Sequence, residues 1–226
     1  MLIAAIDNSL DLLNIALSDD ERLLTEYSIK NSQTPSEIIA KVLSDALMDV
    51  DRSVDDIKAV FTTLGPGSFT GIRVSLAFCK GISAARKIPL IGIPTPDVLA
   101  TPLSHMEGHF LCPVIDAKKS EVFTSFYFVA QGTPKRLTDY CAVKPEAVCR
   151  IIKKPCICFG SGVVLCEPFL SGSEGVTIER EAYRTVTATA LIKAGFDIIK
   201  NETRYETRPF YGRRSEAEIK FNVTVD

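Results

Sequence analysis

The first third of the chain changes from strand-like to helix-like spacing of its apolar residues. Residues 2–6 form a continuous apolar run, which is typical of a strand covered on both faces. Apolar segments at 12–18 and 22–30 follow, separated by the turn-forming pair Asp19 and Asp20. Short connections favour antiparallel pairing, so the pattern predicts a three-stranded meander.

A helix is predicted next, over 35–49. Thr34 can cap it, Pro35 suits its first turn, and Glu37 completes a T-x-x-E capping box. One face carries apolar residues at helical spacing: Ile38, Ile39, Val42, Leu43, Ala46 and Leu47.

The elements that follow complete a recognisable order. A strand at 57–64, a helix at 70–86 and a strand at 88–93 give the order βββαβαβ, as in a lobe of the ribonuclease-H-like or actin-like class. The second half repeats this order more faintly, with strands at 110–117, 121–130, near 136–142 and at 156–160, and helices from 145 and at 185–200. The sequence therefore predicts an α/β protein with an actin-like ATPase fold, its lobes at 1–104 and 105–226 and the second lobe reduced.

Composition limits the classes of function. The chain has 226 residues, 46% of them apolar, and a net charge of −2. A stand-alone nucleic-acid binder is usually basic, so a role at RNA is expected to depend on a partner's charge. The start lacks the basic region of a signal peptide, and no apolar run reaches the length of a membrane span. We expect a cytoplasmic protein.

The seven cysteines have no paired C-x-x-C spacing. They stand at positions 79, 112, 141, 149, 156, 158 and 166, and Cys156 and Cys158 share one face of a predicted strand with Cys166 eight residues later. Such cysteines are mostly small buried hydrophobic residues, so we interpret them as reduced and structural rather than as a metal site.

The loop GPGSFTG at 65–71 joins a strand to a helix. It matches neither the phosphate-loop pattern nor G-x-G-x-x-G. Gly65 and Gly67 nevertheless permit unusual backbone angles, and the free N–H groups around Ser68 could bind an anion at the helix start. Phosphate binding and a tight strand-to-helix turn are both open interpretations.

The helix at 70–86 is apolar over most of its circumference. Arg73 and Lys80 lie on a narrow charged strip, and Ala77, Gly81 and Ala85 form a low ridge that another helix could approach closely. A helix of this kind must be covered on more than one side. Burial within the monomer and a surface for a second protein are the two alternatives.

Two pairs of residues are candidates for chemistry. Asp7 and Asp116 end corresponding strands of the two halves and could serve a small-molecule kinase, with magnesium on one acid and the other as base. Structural roles for both acids are the alternative. His105 and His109 lie four apart and could bind a metal from one helix face, but Gly108 weakens that helix, and no metal site is expected.

Five segments in order resemble the bacterial TsaB family, also called YeaZ. They are AAIDNS near the start, GPGSFTGIRVSLAFCKG at 65–81, IPLIGI at 88–93, VIDAKKSEVF at 114–123 and PFYGRRSEAE at 209–218. The match is close through residue 93 and weak between about 130 and 205. One departure is Asn8, which stands where the family usually has threonine between the acid and the serine.

The resemblance implies the two-lobed actin-like fold and a non-catalytic scaffold role. Such proteins are needed to form N6-threonylcarbamoyladenosine (t6A) at position 37 of ANN-decoding tRNAs, pairing with the transferase TsaD and with the ATPase TsaE. The resemblance implies that ATP and a metal ion belong to those partners, that tRNA is met only through the complex, and that the free protein forms homodimers. A protease activity has little support, because no serine or cysteine accompanies the histidines.

Carried over to this chain, the resemblance places docking on the helices at 35–49 and 70–86. The candidate partner-binding residues on them are Ile38, Val42, Leu43, Arg73, Leu76, Phe78 and Lys80. The candidate residues of a vestigial nucleotide site are Asp7, Ser9, Gly65, Gly67 and Ser68.

Overall fold

The computed structural model, which describes residues 1–30, 35–202 and 206–212, contains two sheets. The first sheet has the order β3-β2-β1-β4-β5. Its antiparallel meander consists of β1 (Leu2–Asp7), β2 (Leu12–Asp19) and β3 (Arg22–Lys30). Two further strands, β4 (Ala59–Gly65) and β5 (Leu90–Pro94), run parallel to β1. The predicted meander and order of elements are confirmed, with ends that differ by one or two residues.

Both faces of the first sheet are covered by helices. The side chains of β1 alternate between the two: Ala4 and Ile6 pack under α1 (Pro35–Asp49) and α2 (Phe69–Arg86), whereas Ile3 and Ala5 belong to the core on the other face. On that other face α6 (Ala188–Lys200) contacts β1, β4 and β5. This double cover explains the continuous apolar run of β1. The predicted cap of α1 at Thr34 lies outside the described residues.

The second sheet has the order β10-β7-β6-β11-β12, and β8 adds to β6 and β9. Its strands are β6 (Phe110–Lys118), β7 (Glu121–Thr124), β8 (Tyr127–Ala130), β9 (Thr133–Arg136), β10 (Cys141–Val143), β11 (Cys156–Phe159) and β12 (Val176–Glu179). The helices in this part of the chain are α3 (Thr95–Ala100), α4 (Pro145–Ile151) and α5 (Val163–Leu170). The structure thus confirms a two-sheet α/β fold of the predicted class.

One predicted strand of this lobe is wrong. Residues 121–130 form two strands, β7 and β8, because the chain bends between them. Thr138 holds the bend: its carbonyl accepts from the Ser125 hydroxyl (2.9 Å) and its own hydroxyl accepts from the Phe126 N–H (3.0 Å). β7 therefore pairs with β10 and β8 with β9, and the strand expected near 136–142 is confined to 141–143.

The cysteines are free thiols, and five of the seven are buried, as predicted. Cys112, Cys156, Cys158 and Cys166 belong to the core beneath α4 and α5. Burial raises the pKa of Cys79 and of Cys166 to about 12, so both remain protonated and unreactive at neutral pH.

One hydrophobic core joins the two sheets. It contains Phe61 of β4, Leu111 of β6, Phe159 of β11 and Leu191 of α6. Helix α6, which follows the second sheet in sequence, therefore packs on the first sheet, and the division at 104/105 stays a prediction. Among the described residues, every helix is too short or too polar to cross a membrane.

Candidate functional site

The glycine loop packs directly against the chain's own backbone. A Cβ atom at Gly71 would overlap the carbonyl oxygen of Asn8, and one at Gly67 would overlap that of Ser9. The N–H of Ser68 donates to the Ser9 carbonyl (2.7 Å), and the Ser68 hydroxyl caps α2 by accepting from the Gly71 N–H (3.2 Å). Because these N–H groups are already paired, the contacts favour the tight-turn interpretation over an anion cradle.

A segment near the end of the described chain covers the outer side of this loop. We call residues 206–212 the C-terminal strap. The Phe210 N–H donates to the Leu64 carbonyl (2.7 Å), and the Phe210 carbonyl fills the space where a Cβ at Gly65 would stand (φ +99°). The Phe210 ring also lies 5.4 Å from that of Tyr140 in the second lobe. The strap therefore joins the loop of one lobe to the other lobe.

Sequence reasoning missed the structural role of this strap. In the sequence, the motif PFYG at 209–212 stands out only as part of the family resemblance. The sequence feature that indicates this role is a pair of aromatic residues, Phe210 and Tyr211, in an otherwise polar stretch. Aromatic side chains in such a stretch indicate that it packs on another part of the protein.

Asp7, a predicted nucleotide-site residue, is fully enclosed at the end of β1. Its Oδ1 accepts from the Ser9 N–H (2.9 Å), the Ser9 hydroxyl (2.6 Å) and the Thr63 hydroxyl (2.6 Å), and its Oδ2 accepts from Asn14 Nδ2 (3.1 Å). The carboxylate thus ties together the ends of β1, β2 and β4, and it has no exposed surface to offer a metal or a nucleotide.

Replacing Asp7 by alanine is expected to destabilise the fold by about 3–5 kcal/mol, because the buried donors around it lose their shared acceptor. Urea unfolding followed by circular dichroism measures the loss. Asp11→Ala, at an exposed position, is the control and should change stability by less than about 0.5 kcal/mol. A stable Asp7→Ala variant would contradict the structural role.

Asp116, the second predicted acid, lies near the end of β6, where that strand pairs with β7. Its carboxylate accepts from the Lys118 backbone N–H (2.7 Å) and from Lys118 Nζ (2.8 Å), and its own N–H donates to the Ser161 hydroxyl (3.2 Å). Burial raises the pKa of Asp116, and the bonds from Lys118 lower it by more, so that the pKa lies below its ordinary value. The carboxylate of Asp116 is bonded to Lys118 of its own strand, and Asp7 is enclosed in the other sheet.

The Asp116–Lys118 pair gives a pH dependence of known sign. A carboxyl whose pKa is lowered by folding stabilises the fold above its unfolded pKa of about 4, and the stabilisation is lost as pH falls below that value. Since the pair is at the surface, we expect Asp116→Asn to cost less than about 1 kcal/mol at pH 7 and nothing at pH 2. Urea unfolding at both pH values tests this; an equal cost at both would exclude the ion pair as its cause.

The two histidines lie on turns rather than on the helix that a metal pair would need. His105 Nδ1 is 3.1 Å from the Pro102 carbonyl, and His109 Nδ1 is 3.2 Å from the Glu107 carbonyl. Gly108 between them has φ +77°, which breaks helical geometry. Over 1–30, 35–202 and 206–212, no three His, Cys, Asp or Glu side chains are grouped as metal ligands.

A cleft of about 500 Å³ opens between α3, α6 and the β8–β9 hairpin. Asp97 in its wall accepts hydrogen bonds from the hydroxyls of Tyr127 (2.5 Å) and Tyr140 (2.8 Å). The residues that line this cleft do not include Asp7, Asp116 or the glycine loop. The structure therefore does not bring the predicted nucleotide-site residues together around it.

The predicted partner-binding residues divide between the core and the surface. Val42, Leu43 and Leu76 are only 6%, 4% and 2% exposed, so they support the helices from beneath and offer no surface to a partner. Ile38 and Phe78 are half-buried. Arg73 and Lys80 are exposed, as a docking role requires.

The low ridge of α2 lies on the surface of the monomer. Ala77, Gly81, Ala84 and Ala85 are exposed, and a Cβ at Gly81 would meet no atom within 4 Å. We call these four residues the docking ridge. Small side chains leave the helix backbone open to close approach by another helix, and nothing in the described part of the chain fills that space at Gly81.

Arg73 is held at the start of α2, four residues before the docking ridge. Its Nε donates to the Tyr211 hydroxyl (2.5 Å), and its guanidinium lies 3.8 Å from the centre of the Phe69 ring. The Phe69 and Tyr211 rings are 4.5 Å apart. Strap and helix thus fix an exposed cluster of two aromatic rings and a cation, a composition that is enriched at protein interfaces.

Comparison with solved structures shows the class of fold. YeaZ from Pseudomonas aeruginosa superposes with a TM-score of 0.77 at 20% identity, over 93% of this chain and 99% of that one. Component A of (R)-2-hydroxyglutaryl-CoA dehydratase from Acidaminococcus fermentans has a TM-score of 0.50 at 10% identity, over 90% and 99% of the two chains. At these identities the likeness concerns the fold alone.

The sequence comparisons show the family. A family model described as "TsaD: tRNA N6-adenosine threonylcarbamoyltransferase" matches residues 30–162. The tRNA threonylcarbamoyladenosine biosynthesis protein TsaB of Bacillus subtilis is 29% identical over 132 residues, 58% of this chain and 57% of that protein. TsaB of Escherichia coli is 29% identical over 128 residues, 56% of this chain and 55% of that protein.

The chain thus belongs to the family that this model describes, and the TsaB proteins are among the relatives that it resembles. A transferase is also similar: the tRNA N6-adenosine threonylcarbamoyltransferase of Pelobacter propionicus is 30% identical over 51% of this chain and 36% of that protein. The chain spans about half the length of the curated TsaB relatives it matches.

Proposed function

We propose that this chain is a non-catalytic scaffold subunit required to form t6A at position 37 of ANN-decoding tRNAs in the cytoplasm. In this proposal it pairs with a TsaD-type transferase through the docking ridge of α2, and the pair recruits a TsaE-type ATPase. The ATP and the metal ion belong to those partners. The observation that carries the proposal is the exposed ridge of small residues on an otherwise apolar helix.

The hydrogen bonding and the covering of the glycine loop support a scaffold role rather than an enzymatic one. In a phosphate-binding loop the N–H groups at the helix start face the ligand. Here the Ser68 N–H is bonded to the Ser9 carbonyl, and the strap covers Gly65 from the other side. The loop therefore positions the first turn of α2, and with it Arg73 and the docking ridge.

The docking ridge itself supports a helical partner. A glycine in the middle of an exposed helix costs up to about 1 kcal/mol relative to alanine, and no atom of the described residues lies within 4 Å of the place where a Cβ at Gly81 would stand. A partner helix that packs closely over Ala77, Gly81 and Ala85 would compensate for that cost. A second copy of this chain can use the same ridge, which accounts for the proposed homodimer of the free protein.

The test combines binding and function. The purified chain should co-purify with the TsaD of its own organism, and its depletion in cells should remove t6A from ANN-decoding tRNAs, as measured by mass spectrometry of tRNA nucleosides. Normal t6A levels after complete depletion would exclude the proposed role. ATP hydrolysis by the isolated chain that Asp7→Asn abolishes without unfolding would instead favour a kinase-like enzyme.

A further inference from the structure

A second exposed apolar surface lies on the other lobe, on α5. The sequence of this helix, VVLCEPFL, is apolar except for Glu167. Its inner side chains, Val163, Cys166 and Leu170, belong to the hydrophobic core beneath α4 and α5. Its outer side chains Val164, Leu165 and Phe169 are 50%, 41% and 49% exposed, and Pro168 between them is exposed as well. A helix apolar on all sides is normally covered on more than one side.

The neighbouring helix α4 extends this surface. β11 and β12 are parallel, and α4 and α5 each run back to the start of one of these strands. The two helices are therefore parallel to each other and end at the same edge of the sheet, and they contact each other. Ile151, 47% exposed, is the last residue of α4. We call Ile151, Val164, Leu165, Pro168 and Phe169 the outer patch.

Positive charge borders the outer patch. Arg150, Lys153 and Lys154 are exposed at the end of α4 and in the turn after it. The side chain of Lys154 lies beside Gly175, in the loop that follows α5. In the described part of the chain no carboxylate forms a salt bridge with these three cations, and Glu167 on α5 is held by Arg180 Nε (2.9 Å). With Glu146 on α4 and Glu174 beside Gly175 counted, the border keeps a small positive excess, opposite in sign to the net charge of −2.

We propose that the outer patch binds an acidic amphipathic helix of a partner protein. The apolar side chains of the outer patch would pack against the apolar face of that helix, and Arg150, Lys153 and Lys154 would face its carboxylates. The exposed cations at the border match a partner of opposite charge better than a second copy of this chain, which carries the same cations. This surface is separate from the docking ridge.

Fluorescence anisotropy with a labelled model peptide tests the proposal. The probe is a helix of about 18 residues made of Leu, Ala and Glu with leucine along one face, and its matched control has Lys in place of every Glu. The acidic peptide should bind the intact chain about tenfold more tightly than the basic one. Phe169→Ala and the double variant Arg150→Glu, Lys154→Glu should each weaken binding about tenfold. Leu137→Ala, at another residue that is 48% exposed, and Lys193→Glu are the controls and should leave binding unchanged.

Three results would overturn the proposal. The first is equal binding of the two peptides, or acidic-peptide binding that Phe169→Ala does not weaken. The second is self-association of the chain in sedimentation velocity that Phe169→Ala abolishes, which would assign the patch to a second copy. The third is Phe169-dependent binding to phosphatidylserine vesicles without binding of the acidic peptide, which would assign it to a membrane.

Discussion

A tryptophan at Gly81 is expected to weaken association with the partner transferase at least about 100-fold while leaving the isolated protein folded. The indole would stand on the docking ridge, where a Cβ meets no atom of residues 1–30, 35–202 and 206–212 within 4 Å, so these residues leave room for it. A helix that packs closely over Ala77 and Ala85 has no such room. A 100-fold loss corresponds to about 2.7 kcal/mol, the magnitude of a central interface residue.

Isothermal titration calorimetry with the TsaD of the same organism measures this effect. Ile199→Trp, on the exposed side of α6, adds a side chain of the same size away from the ridge and should keep normal affinity. Circular dichroism and the unfolding midpoint of Gly81→Trp show that the fold is retained. Normal affinity of a folded Gly81→Trp variant would place the interface elsewhere.

Two Gly→Ala substitutions in the same helix are expected to have opposite effects on stability. Gly71→Ala should lower the free energy of unfolding by about 2–3 kcal/mol, because its Cβ would overlap the Asn8 carbonyl oxygen, which is backbone and cannot rotate away. Gly81→Ala should raise it by about 0.5–1 kcal/mol, because alanine is the better helix former and the site is open.

Urea unfolding of the two variants beside the unmodified chain measures both effects. Each variant is the other's control, since the chemical change and the helix are the same. If both substitutions raise stability, the glycine loop does not pack on the backbone of residues 8–9, and the tight-turn interpretation is wrong. The Gly81→Ala variant should also bind the partner more weakly, because the added methyl group occupies space on the ridge.

The first lobe could be predicted because each of its elements follows one simple period. The continuous apolar run of β1, the short apolar segments of β2 and β3 and the helical spacing in α1 are local properties, and all are preserved in the fold. In the second lobe the bend between β7 and β8 depends on Thr138, twelve or more residues away. No local pattern indicates a contact of that kind, so the run 121–130 was predicted as one strand.

The helices at 35–49 and 70–86 could be predicted from the sequence but the burial of their side chains could not, and their docking role stays a prediction. Periodicity identifies the apolar positions of α1 and α2, but it cannot tell which of them face the sheet, and Val42, Leu43 and Leu76 do. The same limit applies to Asp7. A carboxylate at the end of a strand can bind a ligand or close a network, and only the positions of Asn14 and Thr63 in the fold decide between the two.

The central claim is that this chain supports t6A formation by binding a partner and performs no chemistry of its own. Reconstitution from purified components tests it most directly, with ATP turnover and t6A on added tRNA as the two readouts. We expect no turnover and no t6A from this chain alone, and t6A in the presence of TsaD and TsaE only when this chain is added. Formation of t6A or hydrolysis of ATP by the isolated chain would contradict the account.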